Sequence, residues 1–243
     1  MKLIKLNAID STSSFLKEMA KNSTLKNYTV VVAKDQTKGR GQRESSWSSE
    51  PNKNLTFSTF ISDLDLQITH QKYFNFAICL AVYDVISKYI DNQLFIKWPN
   101  DILSANQKIC GILIENSISK SFIQKSIVGI GINVNQEEFR DDLNKVSSLT
   151  NITGKLYNLD DLLIEVVNSM KNRVNQVIQK DYKNLEADYL NVLYKKNTPS
   201  MFKTTKNVLF MGKIIGISSS GNLQVELEDE TLKEFGIKEI SFA

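Results

Sequence analysis

The stretch "FIKWPNDIL" (95–103) carries the main structural question of this chain. Apolar, β-prone residues lead into Lys97, then Trp98-Pro99, then the polar pair Asn100 and Asp101. Proline fixes its own φ and keeps the residue before it out of the helical region. The sequence therefore predicts a strand that ends in an extended segment, with Asn100 and Asp101 held at defined positions. A lysine at a strand end usually points to solvent. One followed at a fixed distance by a carboxamide and a carboxylate suits a polyphosphate carried with Mg2+. The ammonium meets phosphoryl oxygens, and Asp101 reaches the metal directly or through water. With an ordinary pKa of about 10.4, Lys97 is charged near neutral pH and stabilises charge rather than removing a proton.

Outward from this stretch, "QLFIKW" (93–98) and "QKICGILIEN" (107–116) read as strands, and "FIQKSIVGIGINVN" (122–135) pairs with the latter across "SISK". "YTVVVAK" (28–34) is a β-branched run typical of a buried strand, and "NLTFSTFI" (54–61) alternates and reads as a strand. "STSSFLKEMAKN" (11–22) predicts a short helix with Phe15, Leu16, Met19 and Ala20 on one face and Asp10, Ser11 or Thr12 as its cap. Residues 72–91 are apolar at helical spacing nearly all round, which predicts a buried helix. Residues 159–194 are helical, with Asp160 and Asp161 suited to an N-terminus. "KKNTPSMFK" (195–203) reads as a linker, followed by short strands around the turn "SSSGN". The expectation is an α+β protein with a mixed sheet flanked by helices over 1–196 and a small antiparallel barrel over 197–243.

Composition narrows the chemistry. Thirty basic and 27 acidic side chains leave a net charge of +3, without the basic stripe of a dedicated nucleic-acid binder. No helix-turn-helix domain fits before Asp10, so no DNA-binding role is expected. No run approaches a membrane span, and the start lacks a secretory pattern. Cys79 and Cys110 sit in apolar settings and read as buried reduced thiols, which fits a cytoplasmic location. His70 is the sole histidine and reads as a solvated loop residue. That leaves no zinc-type cluster, and no G-x-S-x-G accompanies the histidine. Lys, Arg, Asp, Asn and backbone groups must carry the reaction.

In "QTKGRGQRESSW" (36–47), Gly39 and Gly41 bracket Arg40, with Arg43 after them. Such a loop bends sharply, and its N–H groups and guanidinium forks suit an anion. It is neither a P-loop nor a dinucleotide fingerprint, and "GIGIN" (129–133) is not one either.

Taken together, "DSTSS" (10–14), "QTKGRGQRESSW", "NLTFS" (54–58), "KWPNDIL" (97–103), "KICGILIE" (108–115) and "VGIGINV" (128–134) stand in the order found in biotin protein ligases, which this chain resembles over almost its whole length. The tail resembles that family's C-terminal SH3-like domain, and the catalytic part implies the class II aminoacyl-tRNA synthetase-like fold. The resemblance implies that the biotin carboxylate attacks the α-phosphate of ATP, giving biotinyl-5′-AMP and pyrophosphate. A lysine of a biotin carboxyl carrier domain of acetyl-CoA carboxylase then takes the biotin. By the same resemblance, Ser11, Thr12, Ser13 and Gln36 bind the ureido head, and the strand with Gly111 and Ile112 walls its pocket. Arg40, Gly41 and Gln42 close over biotin and the adenylate phosphate, and Lys97 lies between carboxylate and α-phosphate. Arg43, Trp47, Asn54, Asn100 and Asn133 belong to the ATP side, with Asp101 for Mg2+ and the incoming lysine.

The loop departs from the family's commonest form, G-R-G-R-R-G-R-x-W. Gln42 and Ser45 stand where arginines are usual, and Glu44 where a glycine is. The expectation is weaker retention of the adenylate, or a cation supplied from elsewhere. Two other functions are weighed: a lipoate or octanoate ligase of the same fold, and a degenerate, non-catalytic binding module. A homodimer paired through the central sheet is a further expectation of the resemblance.

Overall fold

The computed structural model describes residues 1–42, 45–90, 93–140 and 145–243. Arg43 and Glu44, on which two expectations fall, lie outside the described residues. The chain opens with β1 (Lys2–Ile9), α1 (Thr12–Asn22) and β2 (Thr29–Gln36). The small hairpin β3 (Gly39–Arg40) and β4 (Ser46–Trp47) follows, then β5 (Leu55–Gln67) and α2 (Gln71–Ile86). Two hairpins come next: β6 (Leu94–Lys97) with β7 (Asp101–Ser104), and β8 (Gln107–Ser119) with β9 (Phe122–Ile132). Helices α3 (Leu149–Thr153), α4 (Leu159–Ile178) and α5 (Tyr182–Asn191) lead to β10 (Pro199–Thr204), β11 (Leu209–Ile217), β12 (Leu223–Leu227), β13 (Leu232–Phe235) and β14 (Ile240–Phe242).

The main sheet has seven strands in the order β1-β2-β5-β9-β8-β7-β6. Only β1 and β2 run parallel, so the sheet is mixed as expected. Helix α1 covers one face over a small cluster of Leu16, Val31, Phe60 and Ile127. Helices α2, α4 and α5 cover the other over the main core. Helix α2 buries Phe74, Phe76, Ile78, Leu80, Val82, Val85 and Ile86, which explains its apolar circumference. Each such side chain contributes about 1.5–3 kcal/mol on burial. Ser11 caps α1 by accepting from Ser14 N, and Asn158 caps α4 by accepting from the N–H groups of Asp160 and Asp161. None of the described helices is long and apolar enough to cross a membrane.

Several expectations need correction. "NLTFSTFI" forms a strand as expected, and residues 55–61 are buried on both faces because α1 and the α2–α4 layer sandwich β5. "KWPND" is not extended. Trp98–Asn100 form the tight turn of the β6–β7 hairpin, with a cis Trp98-Pro99 bond, and Lys97 pairs directly with Asp101. Helix α2 stops at Ile86, and the 159–194 segment breaks at 179–181. Pro199 starts β10, where it pairs with Lys213 of β11, rather than sitting in a linker. His70 is half-buried beside α2 and packs against Tyr182 with the rings tilted and their centroids 4.8 Å apart. Both cysteines are buried and free, and burial raises each thiol's pKa.

The C-terminal strands form a five-stranded antiparallel sheet in the order β13-β12-β11-β10-β14. Its side chains join the main core through Phe202, Ile214, Leu223 and Val225. A line of aromatic contacts, Phe95 to Tyr194 to Phe242 to Phe202, ties it to the β6–β7 edge.

Candidate active site

A cavity of about 360 Å3 lies on the α1 side of the main sheet, under the β3–β4 hairpin and against the C-terminal sheet. Its floor follows from strand register. Thr56, Gly131, Gly111, Asp101 and Lys97 are successive cross-strand partners on β5, β9, β8, β7 and β6. The two glycines lower this row and let the Trp47 indole lie on it. A Cβ at Gly131 would sit 2.3 Å from the Trp47 ring, and one at Gly111 3.1 Å from Lys108 Nζ. Glycine at 129 likewise lets Ser13 approach, since a Cβ there would meet its hydroxyl at 2.6 Å.

At the α1 end the polar groups satisfy one another. Gln36 Oε1 accepts from Thr12 N at 2.7 Å and from Thr12 Oγ1 at 2.9 Å. Ser58 Oγ lies 2.8 Å from both Thr12 Oγ1 and Ser13 Oγ. Thr12 has one hydroxyl proton, and Gln36 takes it, so Ser58 donates to Thr12 and Ser13 donates to Ser58. That order leaves the Gln36 amide N–H groups and a lone pair on Ser13 for a ligand. Ser58 is fully buried and was not among the expected residues. Its sequence signal was its place at the end of "NLTFS", in a strand that also carries Thr56 and Thr59.

The opposite end is charged. Four cationic side chains among the described residues line the cavity, Arg40, Lys97, Lys108 and Lys238, against one carboxylate, Asp101. Lys108 Nζ is 2.7 Å from Asp101 Oδ1 and stands 5.8 Å from the Trp47 ring centroid. Lys108 too was missed, because in the sequence it is only a lysine at the start of a strand. Lys97 is half-buried, with its Nζ 5.8 Å from the centroid of the Phe242 ring of the C-terminal sheet. Burial lowers its pKa below the ordinary lysine value; Asp101 opposes that shift, and Lys108 and Lys145 add to it. Its neighbour Trp98 donates to the Gly221 carbonyl at 3.2 Å. The strand end therefore aims its cation at the junction of the two sheets.

The hairpin over the cavity is closed by paired glycines. A Cβ at Gly39 would stand 2.2 Å from the Trp47 carbonyl oxygen. Arg40 donates to Glu115 at 2.8 Å and to Ser14 at 3.2 Å. Gly41 N–H donates to the Ser45 carbonyl at 2.7 Å.

Of the expected residues, Ser11, Thr12, Ser13, Gln36, Arg40, Gly41, Gln42, Trp47, Lys97, Asn100, Asp101, Gly111 and Ile112 all line this cavity. Asn100 does so with its amide donating to the Ile112 carbonyl, which fixes the β6–β7 turn to β8. Asn54 and Asn133 are not in the wall. Asn54 accepts from Val134 N at 2.9 Å, and Asn133 donates to the Ser147 carbonyl at 3.1 Å, so both brace the segment after β9. The donor set does not make a resident magnesium site. Such an ion takes about six oxygens. Asp101 already gives one oxygen to Lys108, and no group of three His, Cys, Asp or Glu exists among the described residues.

Residues 6–133 match the Biotin/lipoate A/B protein ligase family. The chain belongs to this family. Among its relatives is a bifunctional ligase/repressor BirA of Bacillus spizizenii, 31% identical over 98% of this chain and 71% of that protein. A biotin–[acetyl-CoA-carboxylase] ligase of Mycobacterium tuberculosis is 30% identical over 44% of this chain and 40% of its own. A biotin protein ligase from Aquifex aeolicus, solved in complex with biotin and ATP, superposes with a TM-score of 0.82 at 28% identity, covering 100% of this chain and 98% of that one. Family membership accounts for a cavity that is hydroxyl- and amide-lined at one end and cationic at the other. A ligase must bring an uncharged head group and a polyanion into line.

Proposed function

We infer that the chain is a biotin–[acetyl-CoA-carboxylase] ligase. The observation that carries this reading is the polarity of this cavity, with the Thr12–Gln36–Ser58 cluster at one end and Lys97, Lys108 and Arg40 at the other. The ureido head fits the first end, since its carbonyl accepts from Gln36 and an N–H donates to Ser13. The valeryl chain then crosses the glycine row and brings the carboxylate to the cations.

In the first step a biotin carboxylate oxygen attacks the α-phosphorus of ATP, and the bond to pyrophosphate breaks. A carboxylic acid of this kind is ionised at pH 7, so the step needs no general base. Its barrier is the approach of an anion to a polyanion. Positioning lowers it by about 7–11 kcal/mol, and fixed cations add to that. We assign that charge to Lys108 first, because Asp101 orients it beside the glycine row, and to Lys97 and Arg40 with it. Magnesium enters on the nucleotide phosphates as part of the substrate. In the second step a carrier lysine attacks the acyl carbon, the acyl–phosphate bond breaks and AMP leaves. Asp101 is our candidate for receiving the incoming ammonium, as the one carboxylate of the described cavity wall.

The test mixes the protein with biotin, Mg·ATP and a biotin carboxyl carrier domain. Covalent gain of biotin on one carrier lysine, with AMP and pyrophosphate released, is the expected result. Gain from lipoate and not from biotin overturns the assignment in favour of the other branch of the family.

A further inference from the structure

Among the described residues, one hydrogen bond joins the loop over the cavity to the C-terminal sheet. Lys238 Nζ donates to the Gln42 carbonyl at 3.2 Å, across 196 residues of sequence. That carbonyl lies at the tip of the β3–β4 hairpin and also accepts from Ser45 N at 3.2 Å and Ser45 Oγ at 2.6 Å. It is thus the point where the tip's own turn and the C-terminal sheet meet. Lys238 sits in a tight turn between β13 and β14 with φ of 64°, closed by Glu239 N donating to the Gly236 carbonyl at 3.1 Å and Gly236 N donating to Glu239 Oε2 at 2.8 Å. The turn therefore fixes the Lys238 backbone, and the Gln42 carbonyl within reach orients its side chain.

The other cations of the wall have anionic partners. Arg40 pairs with Glu115, Lys108 with Asp101, and Lys97 lies in the field of Asp101. Among the described residues no carboxylate pairs with Lys238. The tip it holds carries Gln42 and Ser45, both uncharged.

We propose that Lys238 is a positioning residue for the acyl-adenylate. It ties the Gln42 carbonyl to the C-terminal sheet and brings to the cavity mouth a charge with no carboxylate partner among the described residues, so retention of the intermediate between the two steps depends on a lysine outside the ligase sheet. This rests on the ligase reading above. It also identifies a source for the positive charge that the loop itself lacks at positions 42 and 45.

The test uses the full chain. Labelled biotinyl-adenylate is formed in place, and its release is followed after a chase with unlabelled biotin. Lys238→Met keeps chain length and backbone demands but removes the charge, and is expected to speed release roughly three- to tenfold, the effect of one charge-assisted hydrogen bond. Lys238→Arg is expected to release at close to the parent rate. Gln42→Arg added to Lys238→Met is expected to slow release again. Biotin binding without ATP is expected to be unchanged, which a merely structural role would not predict. The inference is overturned if Lys238→Met retains adenylate as the parent does, or if biotin affinity falls in step with retention. A parent protein that forms no adenylate at all overturns the ligase reading and this inference with it.

Discussion

At the α1 end of the cavity, Thr12, Ser13, Gln36 and Ser58 come from a helix N-terminus and two adjacent strands and close their hydrogen bonds among themselves. At the hairpin end, Arg40, Lys97, Lys108 and Lys238 reach in from the hairpin, β6, β8 and the C-terminal sheet on long side chains. Three of the four polar residues at the first end are buried, whereas Arg40 is 42% exposed and Lys108 34%. The contrast follows from what each end must hold. An uncharged head group is recognised by a few fixed donors and acceptors, and burying these is tolerable once they are paired. A polyanion brings charge that no buried, unpaired cation could await at reasonable cost. Arg40 and Lys108 therefore wait half-exposed on carboxylate partners and can exchange those partners when phosphate arrives.

The comparison breaks most sharply at Lys108. Lys108→Met is expected to slow pyrophosphate release by roughly 10²–10³-fold, the scale of losing one preorganised charge contact. Biotin binding, followed by calorimetry, should change little. A parallel loss of biotin affinity would mean the two ends are not separable. Next in size is the floor between them. Gly131→Ala must displace the Trp47 indole, since its Cβ would lie 2.3 Å from the ring. It is expected to slow adenylation about tenfold and to lower stability by about 1–3 kcal/mol, as overpacking does. Thermal unfolding and steady-state rates check both.

Ser58→Ala sharpens the other end. It removes the shared partner of two buried hydroxyls, which is worth about 1–1.5 kcal/mol. Biotin affinity should fall about five- to tenfold while the KM for ATP stays fixed. The smallest effect is one of pH. Burial lowers the Lys97 pKa below 10.5, and its protonated form is the one that attracts phosphate. Raising the pH through that lowered value removes the charge, so kcat/KM for ATP should decline at a lower pH than an ordinary lysine would dictate. Folding has the opposite sign: between the lowered value and 10.5 the unfolded chain binds the extra proton, so Lys97 favours the folded state more as pH rises. Lys97→Arg stays charged and should abolish the alkaline decline. A decline that persists in that variant belongs to another group.

Much of the site was legible because its residues have few alternative uses. Gly111 and Trp47 could be assigned from motif order, and the structure brings them together through one row of strand partners. Thr12 and Gln36 were readable for the same reason. Asn54 and Asn133, expected as ligand contacts, hold backbone groups around the segment after β9, a use that a carboxamide near a glycine-rich strand does not announce in sequence. Lys108 carried no local mark, since a lysine beginning a strand is ordinary until strand register puts it beside Asp101. The extended reading of Trp98-Pro99 failed because proline restricts φ without saying whether the chain beyond it turns back.

The sequence by itself determined the helices, most of the strands, the glycine-bracketed loop and the family to which the chain belongs. These depend on periodicity, caps and residue types that act over a few positions. Only the tertiary structure decided that Lys97 faces the junction of the two sheets, that Lys108 is the lysine paired with Asp101, and that Lys238 reaches the loop from the far end of the chain. Long, flexible cations take their direction from whatever carboxylate, ring or carbonyl the fold places within reach, and sequence neighbours do not set that.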